Sequence, residues 1–244
     1  NQNYVKKNYI VENIEKYFLG GLVGGVVWNL DGSKVNINFG TETKDAVGEI
    51  SFDLPLPEGR IGIYNTDSLL RLLNITNEDL QLELTTGDNT GIINKLKIRD
   101  NKFDLDYNLS DATIIQEVPK VQEVDYDFSF KINDEFIDGF LKAHNALEKI
   151  NDFTLNTSVT KQDEKVVEII LGERTPHSNK VKFTEPSEFE SPSDIIPFSA
   201  IVFREILSAN KGTEGTMSIS NKGLAKIEFE NEESSVKYFV VRQQ

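Results

Sequence analysis

Apolar and polar positions alternate with a period of two along most of the chain, the pattern of strands that bury one face and expose the other. The alternation covers residues 25–29, 34–39, 47–52, 60–63, 80–85, 95–99 and 102–108 in the first half, and 126–131, 153–160, 165–171, 180–183, 216–220, 224–230 and 236–241 in the second. Asp31-Gly32, Gly87-Asp88-Asn89, Asp100-Asn101 and Asn221-Lys222-Gly223 fall between strands and supply residues that tolerate the positive φ of tight hairpins. Four stretches change to the helical period, with apolar residues at i and i+3 or i+4: 8–19, 66–73, 134–147 and 199–209. The first is expected to bury Ile10, Val11, Ile14 and Phe18, and the third Phe136, Ile137, Phe140, Leu141 and Leu147. Thr66 and Asn133 stand at the expected N-caps, where a side-chain oxygen can accept from the unpaired first-turn N–H groups.

The two halves share this order. Segments 63–73 and 196–207 each carry a strand end, a turn and an amphipathic helix, and Tyr64 with Phe198, Leu69 with Phe203, Leu72 with Ile206 and Leu73 with Leu207 all lie 134 positions apart. Three strands come after each helix, including Leu96-Lys97-Ile98 in one half and Ala225-Lys226-Ile227 in the other. The pattern predicts an α+β protein in which a helix-containing β unit occurs four times, two per domain. Residues 109–125 lack sustained periodicity, contain Pro119 and read as an extended connector. Residues 185–194 (EPSEFESPSD) are acidic, carry Pro and Ser, and read as a solvated loop with little structure of its own.

Charge and chemistry narrow the function. Lys and Arg number 26 against 40 Asp and Glu, a net charge of −14, which taken alone argues against a simple basic nucleic-acid-binding domain and against attachment to anionic lipid. The chain has no cysteine, so disulfides, thiolate metal sites and cysteine nucleophiles are excluded. His144 and His177 are too far apart for a paired-His metal motif; His144 reads as a packing or inner-face residue and His177, after Pro176, as part of a hairpin tip. No nucleophile elbow, Walker A lysine or Rossmann spacing occurs, and Gly20-Gly21 and Gly24-Gly25 follow a helix instead of opening one, the wrong polarity for cradling phosphate. Residues 17–28 (YFLGGLVGGVVW) superficially resemble a signal peptide, but Glu12 and Glu15 interrupt the approach and no small-residue cleavage site comes after them. They read as a helix end, a Gly-rich turn and a buried strand with Trp28 in the core.

The helices carry an asymmetry. Opposite the apolar stripes stand Asn13 and Lys16, with Lys6 just before; Asp67, Arg71 and Asn74; Asp138, Lys142, Asn145 and Lys149; and Arg204, Ser208 and Lys211. These faces are neutral to basic in a chain that is acidic elsewhere, although Glu12, Glu15, Glu148 and Glu205 share the same helices.

Two similar domains of two strand–helix–three-strand units each, joined by an extended connector at mid-chain, resemble the DNA sliding clamps, specifically the trimeric polymerase processivity clamps of tailed phages, similar in fold to proliferating cell nuclear antigen. The resemblance is carried by residues 60–73 with the three strands after them, by Tyr107-Asn108-Leu109-Ser110-Asp111 leading into the connector, and by the run from Ile195-Ile196-Pro197-Phe198 to Tyr238-Phe239-Val240-Val241. It implies clamp domains at residues 1–109 and 126–244 with a connector at 110–125. Three copies would form a ring with sheet outside and helices lining a hole for duplex DNA, without catalysis, cofactor, metal or small-molecule substrate. The residues expected to face DNA are Lys6, Lys7, Lys16, Arg71, Lys142, Lys149, Arg204 and Lys211. Closure between copies would pair edge strands through Phe103, Leu105 and Tyr107 on one and Val181 and Phe183 on the next. Polymerase and clamp loader would dock in an apolar pocket near Ile114, Ile115, Val118, Phe239 and Val241. The implied location is cytoplasmic, in a bacterial host if phage-encoded, with no membrane partner. Two other readings compete: a β-rich virion or tail protein assembling through sheet edges, and a carboxylate-based hydrolase using an Asp/Glu cluster such as Glu185, Glu188 and Glu190 or Glu230, Glu232 and Glu233.

Overall fold

A computed structural model of the chain describes residues 4–172, 175 and 177–244. A strand, a helix and three strands succeed one another four times. The first unit comprises β1 (Val5–Lys6), α1 (Lys7–Phe18), β2 (Val26–Asp31), β3 (Lys34–Gly40) and β4 (Ala46–Asp53). The second comprises β5 (Gly59–Ile63), α2 (Thr66–Asn74), β6 (Asp79–Thr86), β7 (Ile93–Arg99) and β8 (Asp104–Asn108). The third comprises β9 (Phe128–Ile132), α3 (Asp134–Ala146), β10 (Asp152–Val159), β11 (Lys165–Leu171) and β12 (Val181–Pro186), and the fourth β13 (Ile196–Ser199), α4 (Ala200–Ala209), β14 (Gly215–Ile219), β15 (Leu224–Glu230) and β16 (Ser234–Val241). The α+β class and the fourfold order expected from the periodicity are those of the structure. No helix among the described residues is long and apolar enough to cross a membrane.

The chain forms two compact units. One holds residues up to 42, 48–120 and 232–236; the other holds 43–47, 121–231 and 237–244. In the first, β5, β2, β3 and β4 are neighbours in that order, β1, β6, β7 and β8 form a second row, and α1 packs on α2. Trp28 is fully buried, its indole N–H donating to the Tyr17 hydroxyl at 3.2 Å and its ring meeting the Phe52 ring edge-on at 6.4 Å. In the second, β9, β14, β15 and β16 are neighbours, β12, β11, β10 and β13 form the other row, and α3 packs on α4. The core there is aromatic: Phe203 stacks on Phe153 at 4.8 Å and receives the edge of Phe140 at 4.8 Å, while Phe136 meets Phe203 at 6.2 Å. Each such ring removes enough apolar surface from water to contribute about 1.5–3 kcal/mol.

Several local expectations change. Asn65, not Thr66, caps α2, its side chain accepting from Ser68 N at 3.0 Å; Thr66 is buried as the first helical residue. Asn133 caps α3 as expected, accepting from Phe136 N at 2.8 Å. In α1, Val11 and Phe18 are only half-buried, whereas Asn13, Lys16 and Tyr17 are buried. Asn13 closes its amide onto the Tyr9 carbonyl one turn back, at 2.9 Å. Leu141 is half-buried, Ala143, three residues after Phe140, takes the inward place, and Leu147 is half-buried because α3 ends at Ala146, before it. Asp100 makes its turn without positive φ: its carboxylate accepts from the backbone N–H groups of Phe103 at 2.5 Å, Asn77 at 2.7 Å and Lys102 at 2.8 Å, which holds it below the usual carboxylate range. Leu19, Gly20 and Gly21 all take positive φ after α1, the helix end and turn expected there.

The acidic segment after β12 is more ordered than its composition suggests. Ser187 is buried and donates to the Ser129 carbonyl at 2.7 Å, and Glu188 bridges to Ser129. Phe189 is buried under the Lys165 ammonium, which lies 5.1 Å from its ring centre and donates to its carbonyl at 2.5 Å. One aromatic and two serines among the acidic residues anchor the segment, and mean polarity does not register them. Pro176, part of the expected hairpin tip, lies outside the described residues; His177 is exposed.

Replacing Phe203 with Ala should destabilise the second unit by about 3–5 kcal/mol through loss of the ring and the cavity left behind. Asn133→Ala should cost about 1 kcal/mol through loss of a cap. Urea unfolding with an unchanged m-value checks both.

Candidate nucleic-acid interface and partner cleft

In the first unit every expected DNA-facing cation has a partner within the fold. Lys6 sits in β1, opposite Asp79 in the β1–β6 ladder, and its ammonium lies 2.6 Å from that carboxylate, whose hydrogen bond and charge raise its pKa. Lys7 donates to the carbonyls of Asn74 and Thr76, both at 2.9 Å, and so satisfies orphan acceptors at the end of α2. Arg71 is exposed and pairs with Asp67 one turn earlier at 2.9 Å. Lys16, expected on the exposed face, is only 8% exposed; its stem is buried and its ammonium donates to the Ser234 hydroxyl at 3.2 Å. Burial lowers its pKa, with the negative charges of Glu12 and Glu233 opposing.

The second unit differs. Lys142, Lys149 and Lys211 are exposed and make no ion pair among the described residues, while Arg204 is half-buried and bonds to Glu205 at 2.9 Å. His144 lies on α3 with its ring stacked on Phe140 at 6.5 Å, and its Nε2 is buried without a hydrogen-bond partner. Exposed ion pairs such as Arg71–Asp67 contribute about 0–1 kcal/mol, little enough for a phosphate to compete for the cation.

The strands expected at the contact between copies are end strands of their rows, β8 in one unit and β12 in the other. Asp104 and Asp106 point outward and are held by Arg99 at 3.3 Å and Lys97 at 3.2 Å across the ladder. Phe103 and Leu105 are half-buried. Tyr107 is buried, its hydroxyl donating to Asn65 O at 2.9 Å and accepting from Asn65 N at 3.2 Å. Val181 and Phe183 are half-buried, with the Phe183 ring 5.6 Å from Phe136. These side chains face inward, which leaves the strands' backbone edges for pairing.

The connector leaves β8 through Ser110, whose N–H bonds to Gly62 O at 3.0 Å. A Cβ on Gly62 would lie 2.6 Å from the Ser110 carbonyl oxygen, so only glycine lets the two backbones approach this closely. Asp111 then accepts from Thr113 N at 2.9 Å and opens a short turn over Ala112–Ile114. Residues 114–118 roof a cleft of about 280 Å³ whose remaining lining comes from residues 24–27, 29, 38–40, Glu42 and Tyr64. Ile114, Ile115 and Val118 thus come together, whereas Phe239, buried, and Val241, half-exposed, belong to β16 and are not part of the lining. Tyr64, Glu42 and the Gly24-Gly25 pair were not singled out for this role from the sequence; the only signal was an aromatic at a strand end where Phe198 occupies the matching place. No group of three or more His, Asp or Glu that could hold a metal ion occurs among the described residues.

No protein-family model matches the sequence, and no curated protein does. Solved structures share the fold over the whole chain. Proliferating Cellular Nuclear Antigen from Entamoeba histolytica superposes with a TM-score of 0.77 at 15% identity, covering 100% of this chain and 98% of that one. PCNA from A. fulgidus, in a structure with the C-terminal region of FEN-1 bound, superposes with a TM-score of 0.76 at 13% identity, covering 99% and 97%. The fold is that of proliferating cell nuclear antigen.

Burial, then the charge of Arg204, holds the His144 imidazole below its ordinary value, with Glu205 opposing. The unfolded chain therefore binds more protons between the two values, so stability is full above about pH 6.5 and falls as pH drops through that window. His144→Gln should flatten the dependence of the thermal midpoint on pH between about 5 and 7, and an unchanged slope would reject the assignment.

Proposed function

We propose that the chain is a non-catalytic DNA polymerase sliding clamp, in which three copies encircle duplex DNA and tether polymerase and clamp loader. The observation that carries this reading is the likeness to PCNA over the full length of both chains. Clamp domains at 1–109 and 126–244, linked by 110–125, would each contribute two helices to the ring. The uncompensated cations Lys142, Lys149 and Lys211, with Arg71 and Arg204 available by exchange of a weak ion pair, would make sequence-independent phosphate contacts in the bore. The net charge of −14 would then act from the outside, repelling DNA laterally while the cations favour it in the hole.

End strands β8 and β12 are the edges through which neighbouring copies would pair. The cleft beneath residues 114–118 is the place for partner segments, by analogy with the clamp of the same fold that has the C-terminal region of FEN-1 bound to it. A phage origin, and with it the cytoplasm of a bacterial host, belongs to the same proposal.

In solution the protein should sediment as a trimer of about 83 kDa, three copies of a 27.6 kDa chain. Electron microscopy should show closed three-lobed rings with an opening of DNA width; filaments or open sheets would favour a virion component instead. Lys142→Glu with Arg204→Glu should reduce processive synthesis on primed circular DNA roughly tenfold without changing the sedimentation of the trimer. Undiminished synthesis would remove these two residues from the bore.

A further inference from the structure

The charged residues of the cleft are Glu42 and Glu117, and no Lys or Arg is part of its lining. Glu117 is already matched: the Arg60 guanidinium bonds to its carboxylate and also donates to the Asn29 amide oxygen at 3.1 Å. Glu42 makes no ion pair among the described residues. Its carboxylate does not swing away from the cleft, because a Cβ built on Gly24 would lie 2.9 Å from Glu42 Oε1. At the neighbouring Gly25 a Cβ would come within 3.3 Å of the Ile63 carbonyl oxygen and 3.4 Å of the Tyr64 backbone, so the strands lie close there. The place of a Gly24 side chain is thus taken by an unmatched carboxylate at the cleft wall. Beside it, Tyr64 is 72% exposed and Ile114 is 70% exposed, large apolar surfaces with nothing of their own unit covering them.

Resting on the docking reading above, we infer that the cleft selects an extended partner segment carrying a Lys or Arg directly beside its apolar anchors. The anchors cover Tyr64 and Ile114, and the cation meets Glu42 beside Gly24. Gly24, having no side chain, leaves the room in which the Glu42 carboxylate lies at the cleft wall, within reach of a flanking cation and with no other counter-charge among the described residues. Because the pair stays partly solvated, it supplies discrimination more than affinity. An acidic flank is disfavoured at the same place, since it would set like charges together in a chain already negative overall.

The test uses the intact protein and two fluorescein-labelled twelve-residue peptides with identical Leu and Phe anchors, one flanked by two lysines and the other by two glutamates, with binding read by anisotropy. The lysine-flanked peptide should bind about three- to fivefold more tightly, and the difference should vanish in Glu42→Gln and reverse in Glu42→Lys. It should also fade at about 1 M salt. Equal binding of both peptides to the unaltered protein, or a preference that survives Glu42→Gln, overturns the charge selection and leaves the docking reading standing. Binding of neither peptide counts against the docking reading itself, and is distinguishable because the apolar anchors are common to both.

Discussion

One constraint organises the molecule: each short helix has a single apolar face and must bury it against the strands of its own unit. Helices of ten or so residues have little stability alone, so their packing supplies most of it. In the second unit a cluster of phenylalanines, Phe136, Phe140, Phe153 and Phe203, performs that burial, and in the first Tyr17 and Trp28 do so with a shared hydrogen bond. Once one face is committed, the other is free to answer to solvent or ligand. The cations on it need satisfy no packing requirement, which is why a strongly acidic chain can still present Lys142, Lys149 and Lys211 without local counter-charges.

The segments that leave the last strand of a domain's second or first repeat are tied by the same device. Ser110 bridges to Gly62 in β5, and Glu188 bridges to Ser129 in β9. Beyond these bridges the two segments diverge. After Ser110 the chain contributes residues 114–118 to the lining of a cleft; after Glu188 it turns Phe189 inward under Lys165, and Ser193 then bonds to Thr157. The far end of the connector is held within the second unit by Lys226, which bonds to Glu123 at 2.8 Å, lies 3.4 Å from Glu228 and sits 5.8 Å over the Tyr126 ring. Burial, reinforced by Glu123, pushes the Tyr126 hydroxyl up to about 12, so it stays a donor to that carboxylate at any physiological pH.

Strand and helix identities were legible because they rest on local spacing. Residues 66–73 and 134–147 matched α2 and α3 within a residue or so at each end, and the fourfold unit emerged from the order of periods alone. The two-residue β1 escaped notice, since two positions cannot show a period and its partner Leu80 lies far along the chain. Asn65 displaced Thr66 as a cap for a related reason: both residue types can cap, and backbone geometry chooses between adjacent candidates.

By itself, then, the sequence determined the class, the repeat and most of the sorting of apolar residues inward, all of which derive from propensities and periods read over a few neighbours. Which polar groups remain free was decided by the tertiary structure. Lys16 sits at an outward position by helical count and is nonetheless buried, because Ser234, 218 residues away, offers its ammonium an acceptor. The cleft likewise exists only because the connector folds back over a glycine pair from much earlier in the chain. Burial of a charge or the opening of a cleft depends on partners brought together from distant parts of the chain, and no local pattern encodes where they meet.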